Sequence, residues 1–263
     1  MDLQLKDKIA LVTAASRGLG AATARQLARE GARVAINSRN ADRLQATAAS
    51  IRQETGAQVA AVPGDVSVAA DVAGLAAQTA RQFGGLDILI TNAGGPTPGP
   101  FDELDDAAWE KAINSMLMGT VRLVRAALPY LRQSKAAAVL TITSYSVKQP
   151  LPNLVLSNSV RLAVVGLTKS LALELGPAGI RFNSILPAFI ETERHKELMT
   201  ERARRAGTTV EEEGRKQSGA SPFGRVGTPQ EFANVATFLC SPAASYVTGV
   251  MLTVDGGMYK GTM

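Results

Sequence analysis

The sequence predicts a single α/β domain with a doubly wound, seven-stranded parallel sheet. Short apolar segments alternate with longer amphipathic segments along the 263 residues, as in repeated strand–helix units. Apolar residues make up 46% of the chain and charged residues 19%, a balance typical of a globular domain. Because neither a flexible linker nor an internal repeat interrupts the pattern, residues 1–263 are predicted to form one domain.

Each predicted strand is a short apolar run, and each predicted helix has apolar residues recurring at helical spacing. The predicted strands are 9–13, 33–37, 58–63, 86–91, 137–143, 181–186 and Met251–Val254. The predicted helices are 19–30, 41–55, 68–83, 106–132, 156–175 and 230–239. Glycines are expected to cap the carboxyl ends of several helices, at Gly31, Gly56, Gly84 and Gly176.

Residues 189–222 interrupt this alternation. The segment is polar, charged and helix-prone, and it lies between the sixth predicted strand and the helix that begins near Pro229. An insertion at the carboxyl end of a parallel strand falls where such sheets bind ligands. We therefore expect 189–222 to form a lid over a substrate site. The alternative is a pair of surface helices with no role in binding.

The composition argues against several kinds of site and location. One cysteine, Cys240, and one histidine, His195, leave too few ligands for a disulfide framework or a zinc site, so no metal is expected. The net charge of +5 is dispersed, so we expect an anionic small-molecule ligand and no nucleic acid. The sequence has no apolar run long enough for a membrane span and no signal-peptide core in residues 1–9. A cytoplasmic protein without membrane partners is therefore expected.

The first predicted strand runs directly into a glycine-containing turn, which a helix follows. Glycines let a backbone approach a pyrophosphate, and the amino terminus of a helix attracts the pyrophosphate charge. A dinucleotide site is therefore predicted at this turn. Its residues are Thr13, Ala14, Ala15, Ser16, Arg17, Gly18, Leu19 and Gly20.

Together with further motifs in the same order, this turn resembles the short-chain dehydrogenase/reductase family, whose signature is T-G-x-x-x-G-x-G. The resemblance runs nearly from end to end of the chain. Ala14 replaces the first glycine, so we expect a backbone conformation there that alanine tolerates. The further motifs are Gly64-Asp65-Val66, Asn92-Ala93-Gly94, Ile180-Arg181-Phe182-Asn183 leading to Pro187, Gly224-Arg225-Val226-Gly227-Thr228-Pro229 and Val254-Asp255-Gly256-Gly257.

The resemblance implies a Rossmann fold, a nicotinamide cofactor, a small carbonyl or alcohol substrate and a homo-oligomer, with a homotetramer favoured. It also assigns residues to parts of the cofactor. Gly18, Leu19 and Gly20 would line the pyrophosphate, Asp65 and Val66 the adenine, Asn92, Ala93 and Gly94 a ribose, and Thr192 the nicotinamide carboxamide. The other cofactor-binding positions are Thr13, Ala15, Ser16, Arg17 and Pro187.

The end of the second strand bears on the choice of nicotinamide cofactor. An NAD site usually carries Asp or Glu there, whereas this chain reads Ile36-Asn37-Ser38-Arg39-Asn40. Arg17 and Arg39 can instead place two guanidinium groups on a 2′-phosphate, and Ser38 can donate its hydroxyl. We therefore predict NADP(H) rather than NAD(H). The alternative is that both arginines are solvated surface residues.

The catalytic positions depart from the family pattern, which is a Ser, then Tyr-x-x-x-Lys. A cation near a phenol lowers its pKa, so that the phenol can give a proton to an alkoxide. When the segment 166–170 is matched to the family's helix, the serine is Ser144. The tyrosine position is then Ser157, and the lysine position is Arg161.

The family's supporting asparagine is also replaced, because its position here is Met116, with Asn114 two residues earlier. Arg161 can hold a cofactor ribose, but a guanidinium is no proton relay at ordinary pH. Ser157 is a much weaker acid than a phenol. Tyr145, which follows Ser144, is a compensating candidate for the acid; the alternative is that it packs as an ordinary aromatic residue.

Three functions remain open on this sequence. The first is an atypical NADP(H)-dependent carbonyl reductase or alcohol dehydrogenase. In that enzyme Ser144 polarises the carbonyl, Arg161 holds the ribose, and Tyr145, Ser157 or water supplies the proton. The second is an NADP-binding protein with little turnover, acting as a sensor or oligomer partner. The third is non-redox chemistry like that of halohydrin dehalogenases. The likeness to 3-oxoacyl-carrier-protein reductases is fold-wide and implies no substrate.

Overall fold

The computed structural model describes residues 1–262 and contains the predicted seven-stranded, all-parallel sheet. The strands are β1 (Ile9–Val12), β2 (Arg33–Ser38), β3 (Val59–Pro63), β4 (Ile88–Thr91), β5 (Ala138–Ile142), β6 (Arg181–Pro187) and β7 (Met251–Val254). Their order across the sheet is β3-β2-β1-β4-β5-β6-β7. The order reverses between β1 and β4, and doubly wound sheets bind ligands at such a point.

Helices cover both faces of the sheet. They are α1 (Gly18–Arg29), α2 (Ala41–Thr55), α3 (Ala69–Phe83), α4 (Asp106–Ala112), α5 (Gly119–Leu131), α6 (Val155–Leu175), α7 (Glu193–Ala206), α8 (Val210–Ala220) and α9 (Pro229–Cys240). One apolar core lies between the sheet and α1, α2 and α9, and a second lies between the sheet and α3, α5 and α6.

The residues of β1 show why this strand is central. Ala10 and Val12 belong to one core, whereas Ile9 and Leu11 belong to the other, because successive side chains of a strand point to opposite faces. All four are buried. A strand buried on both faces reads as a continuous apolar run, which is the pattern that located β1 in the sequence.

The predicted helix 106–132 is not one regular helix. A π-helical turn, Ile113–Met118, separates α4 from α5. Immediately after it, Gly119 approaches the loop that follows β3 so closely that a Cβ there would lie 2.9 Å from the Val66 carbonyl oxygen. Apolar spacing does not register one widened turn, so the sequence prediction missed it.

One predicted glycine cap is also wrong. Gly56 and Gly84 end α2 and α3 in the left-handed conformation, as expected. Gly176 instead stays right-handed and begins the short 3-10 turn Gly176–Ala178. The left-handed residue that ends this turn is Gly179, with φ +76°.

The charged segment 189–222 contains α7 and α8. Thr192 caps α7, and Gly207 ends it in the left-handed conformation. Thr209 and Glu212 form a capping box at the start of α8. The two helices contact each other. Among the helices of residues 1–262, none is long and apolar enough to cross a membrane.

Candidate active site

The turn at residues 13–20, here called the phosphate-binding turn, is anchored to the end of β4. The Thr13 hydroxyl donates to the Asn92 carbonyl oxygen at 2.8 Å, and it accepts from the Asn92 amide at 2.9 Å. The Asn92 side chain reaches back to the Ala14 carbonyl oxygen at 3.4 Å. These bonds join the ends of β1 and β4 where the strand order reverses.

Backbone geometry explains both glycines of the phosphate-binding turn. Gly18 is left-handed, with φ +58°. A Cβ at Gly20 would lie 2.5 Å from the Ala14 carbonyl oxygen, so only glycine fits there without a shift of the turn. Ala14 is itself left-handed, with φ +47°, so the backbone at this position favours the family's glycine over the alanine present. Alanine is accommodated there, but in a left-handed conformation that costs it free energy.

The amino terminus of α1 has the features of an anion site. Its cap residue, Arg17, is extended and makes no side-chain cap bond. The first amides of the helix therefore have no side-chain acceptor, and the helix dipole adds positive potential. Glycines beside these amides leave room for a phosphate group.

The ends of β2 and β3 form the outer part of this edge. Asn37 donates to the Gly64 carbonyl oxygen at 3.0 Å, which fixes the turn that leads to Asp65. The Asp65 carboxylate accepts from the backbone and hydroxyl of Ser67. The exposed guanidinium of Arg39 lies 3.9 Å from the Asp65 carboxylate, so β2 and β3 place these two side chains together.

The guanidinium of Arg17, which the sequence predicted at the 2′-phosphate, is engaged in ion pairs in this structure. It pairs with Glu193 and, at 3.3 Å, with Glu197, both on α7. The hydrogen bond that Arg17 donates to Glu193 raises the pKa of Arg17, and the same contact lowers the pKa of Glu193. The phosphate-binding turn is thereby tied to α7.

A third arginine, which the sequence reading missed, faces the same cleft as Arg17. Arg43 and Arg17 line the same open cleft, of about 520 Å³, between α1, α2 and the start of α7. Arg43 is on the first turn of α2, four residues after Arg39. A basic residue four positions after Arg39 is the signal in the sequence that could have identified Arg43 as a further candidate.

Ser144 follows β5 and begins a short 3-10 turn, Tyr145–Val147. Its hydroxyl oxygen accepts from the Ser146 amide at 3.1 Å, which orients the side chain and leaves its proton available for donation. Arg161 of α6 donates to the carbonyl oxygens of Ile142 and Thr143, each at 3.2 Å. Arg161 therefore holds the end of the strand that presents Ser144, a role that sequence reasoning did not predict.

The Arg161 environment is strongly desolvating. Burial, followed by the charge of Arg194, lowers the pKa of Arg161 to about 10. A small cavity beside it is lined by Ala93, Met116 and Thr143, among others. Both bonds to the strand carbonyl oxygens come from one nitrogen of Arg161, Nη1. The guanidinium has other N–H groups that can donate to a ligand.

Ser157 lies one helical turn before Arg161 and is buried. Met116 is buried beside Arg161, and Asn114 does not take its place. The Asn114 side chain donates to the Ser67 carbonyl oxygen at 3.0 Å and accepts from Arg122 at 2.7 Å. The π-helical turn thus directs Asn114 toward the loop after β3.

Tyr145 is buried against Phe189, with the two rings edge to face at 5.9 Å. Burial raises the pKa of the Tyr145 phenol, and the positive charge of Arg202 offsets this only in part. A catalytic acid needs a lowered pKa, so this environment weighs against Tyr145 as the proton donor. Lys148, three residues after Tyr145, places its Nζ over the Tyr259 ring, 5.2 Å from the ring centroid.

Helix α7 spans the same edge of the sheet. Beyond the pairing of its glutamates with Arg17, Arg194 donates to the Pro96 carbonyl oxygen at 3.0 Å, in the segment after β4. Arg205 pairs with Glu103 at 2.9 Å. Thr192, just before α7, lies next to Gly18: a Cβ at Gly18 would be 3.8 Å from its methyl carbon. Pro187, predicted at the cofactor, is buried at the end of β6.

Comparison with known proteins agrees with this arrangement. A family described as "Enoyl-(Acyl carrier protein) reductase" matches residues 13–259. Dehydrogenase/reductase SDR family member 4 of Sus scrofa is 35% identical over 254 residues, which are 96% of this chain and 88% of that protein. The chain belongs to the short-chain dehydrogenase/reductase family.

Two solved structures of this family are especially informative. L-sorbose reductase from Gluconobacter frateurii, complexed with NADPH and L-sorbose, is 33% identical, with a TM-score of 0.93 over 99% of this chain and all of that one. An NADPH-bound short-chain oxidoreductase from Pseudomonas aeruginosa PAO1, described as containing an atypical catalytic center, is also 33% identical. Its TM-score is 0.88 over 98% of this chain and 100% of that one. Relatives of this chain are thus short-chain dehydrogenases and reductases of small molecules.

Proposed function

We propose that the chain is an NADPH-dependent carbonyl reductase of the short-chain dehydrogenase/reductase family, and an alcohol dehydrogenase in the reverse direction. One observation carries the proposal: the uncapped amino terminus of α1, Ser144 and Arg161 lie along the edge of the sheet formed by the carboxyl ends of β1, β4 and β5. That edge brings a phosphate site and a hydroxyl donor into one ligand region. The NADPH complexes of similar structures support the choice of cofactor.

The residues present fit a dinucleotide phosphate cofactor. Gly18 and Gly20 leave the space that a pyrophosphate needs, and the first amides of α1 would bind it. Asp65 and Val66 would meet the adenine, and Asn92, Ala93 and Gly94 a ribose. Bound NADPH would supply the hydride. The remaining positions proposed at the cofactor are Thr13, Ala15, Ser16, Leu19, Pro187 and Thr192.

Arginines would select the 2′-phosphate of NADPH. Arg39 is largely exposed at the end of β2 and free to turn toward an anion, with Ser38 beside it. Arg43 adds a third positive charge from the first turn of α2. Arg17 contributes when the phosphate replaces Glu193 and Glu197, so cofactor binding and the pairing of α7 compete for one guanidinium.

The chain's own groups divide the remaining chemistry. Ser144 donates a hydrogen bond to the substrate carbonyl oxygen and favours the negative charge that develops there. Arg161 holds the end of β5 and offers its free N–H groups to the ribose hydroxyls. Ser157 relays a proton from water to the alkoxide. Tyr145 is the other candidate donor, although burial raises its pKa.

The test measures NADPH binding by fluorescence and then follows loss of NADPH absorbance with a panel of ketones, β-ketoesters and diketones. Saturable binding with turnover is expected. Comparing Ser157→Ala with Tyr145→Phe identifies the proton path, and we expect the serine variant to be slower. No NADPH binding would contradict the proposal at its first step.

A second function is favoured by the presence of Ser157 and Arg161 where the family pattern has Tyr and Lys. Without a phenol beside a lysine, the chain would bind NADP(H) and turn over little, serving as a sensor or oligomer partner. Stoichiometric NADPH binding with no carbonyl in the panel reduced would support this function and overturn the reductase.

A homo-oligomer, with a tetramer favoured, is part of the proposal. Strand β7 is at the edge of the sheet and exposes Met251 and Leu252. Helix α6 exposes Leu162 and Leu173, the latter by 71%. Exposed apolar side chains next to an open strand edge support an interface between copies. Light scattering coupled to gel filtration tests it, and a monomeric mass would contradict it.

A further inference from the structure

Arg202 differs from its neighbours on α7. Arg194, Arg204 and Arg205 each pair with a glutamate. Arg202 instead lies over the Phe189 ring, with 5.4 Å between its guanidinium carbon and the ring centroid. Across residues 1–262, no carboxylate is within ion-pair distance of Arg202. Arg202 is partly buried, and this loss of contact with water lowers the pKa of its guanidinium.

The position of Arg202 links it to the reacting region. Phe189 is just beyond the end of β6, and its other neighbour is the Tyr145 ring. Tyr145 directly follows Ser144 in the chain. A continuous wall therefore leads from the hydroxyl proposed to bind the carbonyl, past two aromatic rings, to a guanidinium with no carboxylate partner.

A buried amide next to this wall also has an unused donor. Gln217 of α8 is 4% exposed, and its Oε1 lies 2.5 Å from Nε2 of His195. Within the described residues, Gln217 Nε2 has no hydrogen-bond partner. The His195 ring is 6.1 Å from that of Phe189, so the unpaired amide belongs to the same cluster. A buried donor without an acceptor is costly unless a ligand supplies one.

The nearby carboxylate does not neutralise Arg202. Glu213 of α8 is buried, but its Oε1 accepts from Thr208 at 2.9 Å and pairs with Lys216 at 2.6 Å. Its charge is thus already matched by a cation. Glu213 therefore attracts Arg202 only at a distance, and the guanidinium beside Phe189 has no carboxylate paired with it in residues 1–262.

We propose that Phe189, Arg202 and Gln217 form a subsite for a carboxylate, so that the substrates of the proposed reductase are oxo acids. The guanidinium would bind the carboxylate through paired N–H donors. Contact with the Phe189 ring would hold the guanidinium in position. Gln217 Nε2 would be a further donor. The inference rests on the proposed function for its reaction, but the binding of an anion can be measured without turnover.

The experiment compares each of three oxo acids with its primary amide: pyruvate, acetoacetate and levulinate. The amide keeps the shape and removes the charge, and the series lengthens the distance between ketone and carboxylate by one carbon at a time. Binding to the NADP⁺ complex is measured by calorimetry, and kcat/KM by NADPH oxidation. The variants are Arg202→Gln, Arg202→Lys and, as a matched control on the exposed side of α7, Arg204→Gln.

The wild type should bind at least one acid about 10- to 100-fold more tightly than its amide, because a charge-assisted pair is lost in the amide. Arg202→Gln should bring that ratio close to one, Arg202→Lys should restore part of it, and Arg204→Gln should keep it. A purely structural Arg202 would instead weaken acid and amide equally. That result, or a wild type that does not prefer any acid over its amide, overturns the subsite.

Failure of the carboxylate subsite and failure of the proposed reductase would give different results. Neutral ketones reduced without any preference for acids would leave the reductase in place and reject the subsite. Preferential binding of an acid that depends on Arg202, without NADPH oxidation by any carbonyl, would support the subsite and reject the reductase.

Discussion

The phosphate-binding turn and the site around Ser144, Ser157 and Arg161 share one edge of the sheet but are built differently. The turn is made of backbone: a left-handed Gly18, a Gly20 with no room for a Cβ, and amides at the start of α1. The other site is made of side chains from the turn after β5 and from α6. Backbone geometry limits which residues are accepted, whereas a side-chain site can change its chemistry within an unchanged fold.

This contrast predicts how far each region tolerates substitution. Replacing a glycine such as Gly20 would disturb the turn itself. Ser157 and Arg161 are side chains of α6, a regular helix of 21 residues. Arg161 donates to the end of β5, so it contributes to structure as well as to charge.

The largest expected effect is a loss of activity at the site built from side chains, around Ser144. Ser144→Ala should lower kcat by about 100-fold or more, because the developing oxyanion loses a positioned donor. NADPH affinity should change by less than about threefold, because the phosphate site does not use this hydroxyl. Stopped-flow oxidation of NADPH and fluorescence titration measure the two quantities. Ser159→Ala, an exposed serine of α6, is the matched control, and equal rates in both variants would remove Ser144 from the mechanism.

The complementary substitution is in the phosphate-binding turn, which is built from backbone. Gly20→Ala should weaken NADPH binding by about 10- to 100-fold, because a Cβ 2.5 Å from the Ala14 carbonyl oxygen forces the turn to shift. At saturating NADPH, kcat should fall much less. Gly166→Ala is the control, since a Cβ at that exposed helical glycine meets nothing within 4 Å. A large fall in kcat with unchanged NADPH affinity would mean that the phosphate-binding turn acts on the reaction rather than on cofactor binding.

A smaller effect is expected at the edge of the cofactor site. Arg39→Asp should shift the ratio of NADPH to NADH affinity by about tenfold or more toward NADH, because a phosphate contact is lost and a ribose acceptor is gained. Titrations with both cofactors measure the ratio. Arg125→Asp, an exposed charge reversal on α5, controls for overall charge. An unchanged ratio would mean that Arg39 does not bind the 2′-phosphate.

The sequence was sufficient for the sheet and for the strand–turn–helix order around residues 13–20, because both depend on local patterns. The apolar run of β1 and the spacing of Gly18 and Gly20 are visible without tertiary information. The π-helical turn before Gly119 was not predictable in this way, because it follows from packing against the loop that holds Val66. Secondary-structure periodicity does not describe such contacts.

The same limit applies to side chains that meet across the chain. Arg17 was predicted as a phosphate ligand from its place in the turn, but Glu193, far away in the sequence, occupies its guanidinium in this structure. The contact of Arg161 with the carbonyl oxygens of β5 likewise needs the packing of α6. Asn114 was noted from the sequence as near the supporting position, and only the structure shows that it faces Ser67.

The smallest expected effect tests strain within the phosphate-binding turn. Ala14 has φ +47°, which costs an alanine about 1–2 kcal/mol. Glycine removes that strain but makes the unfolded chain more flexible, at a cost of about 0.4–1 kcal/mol. Ala14→Gly should therefore change the free energy of unfolding by about 0 to +1.6 kcal/mol. Ala49→Gly on the exposed face of α2 should instead lose about 1 kcal/mol. Urea unfolding with equal m-values compares them. Equal destabilisation by both substitutions would show that the turn stores no strain at Ala14, and that its backbone accepts alanine as readily as a helix does.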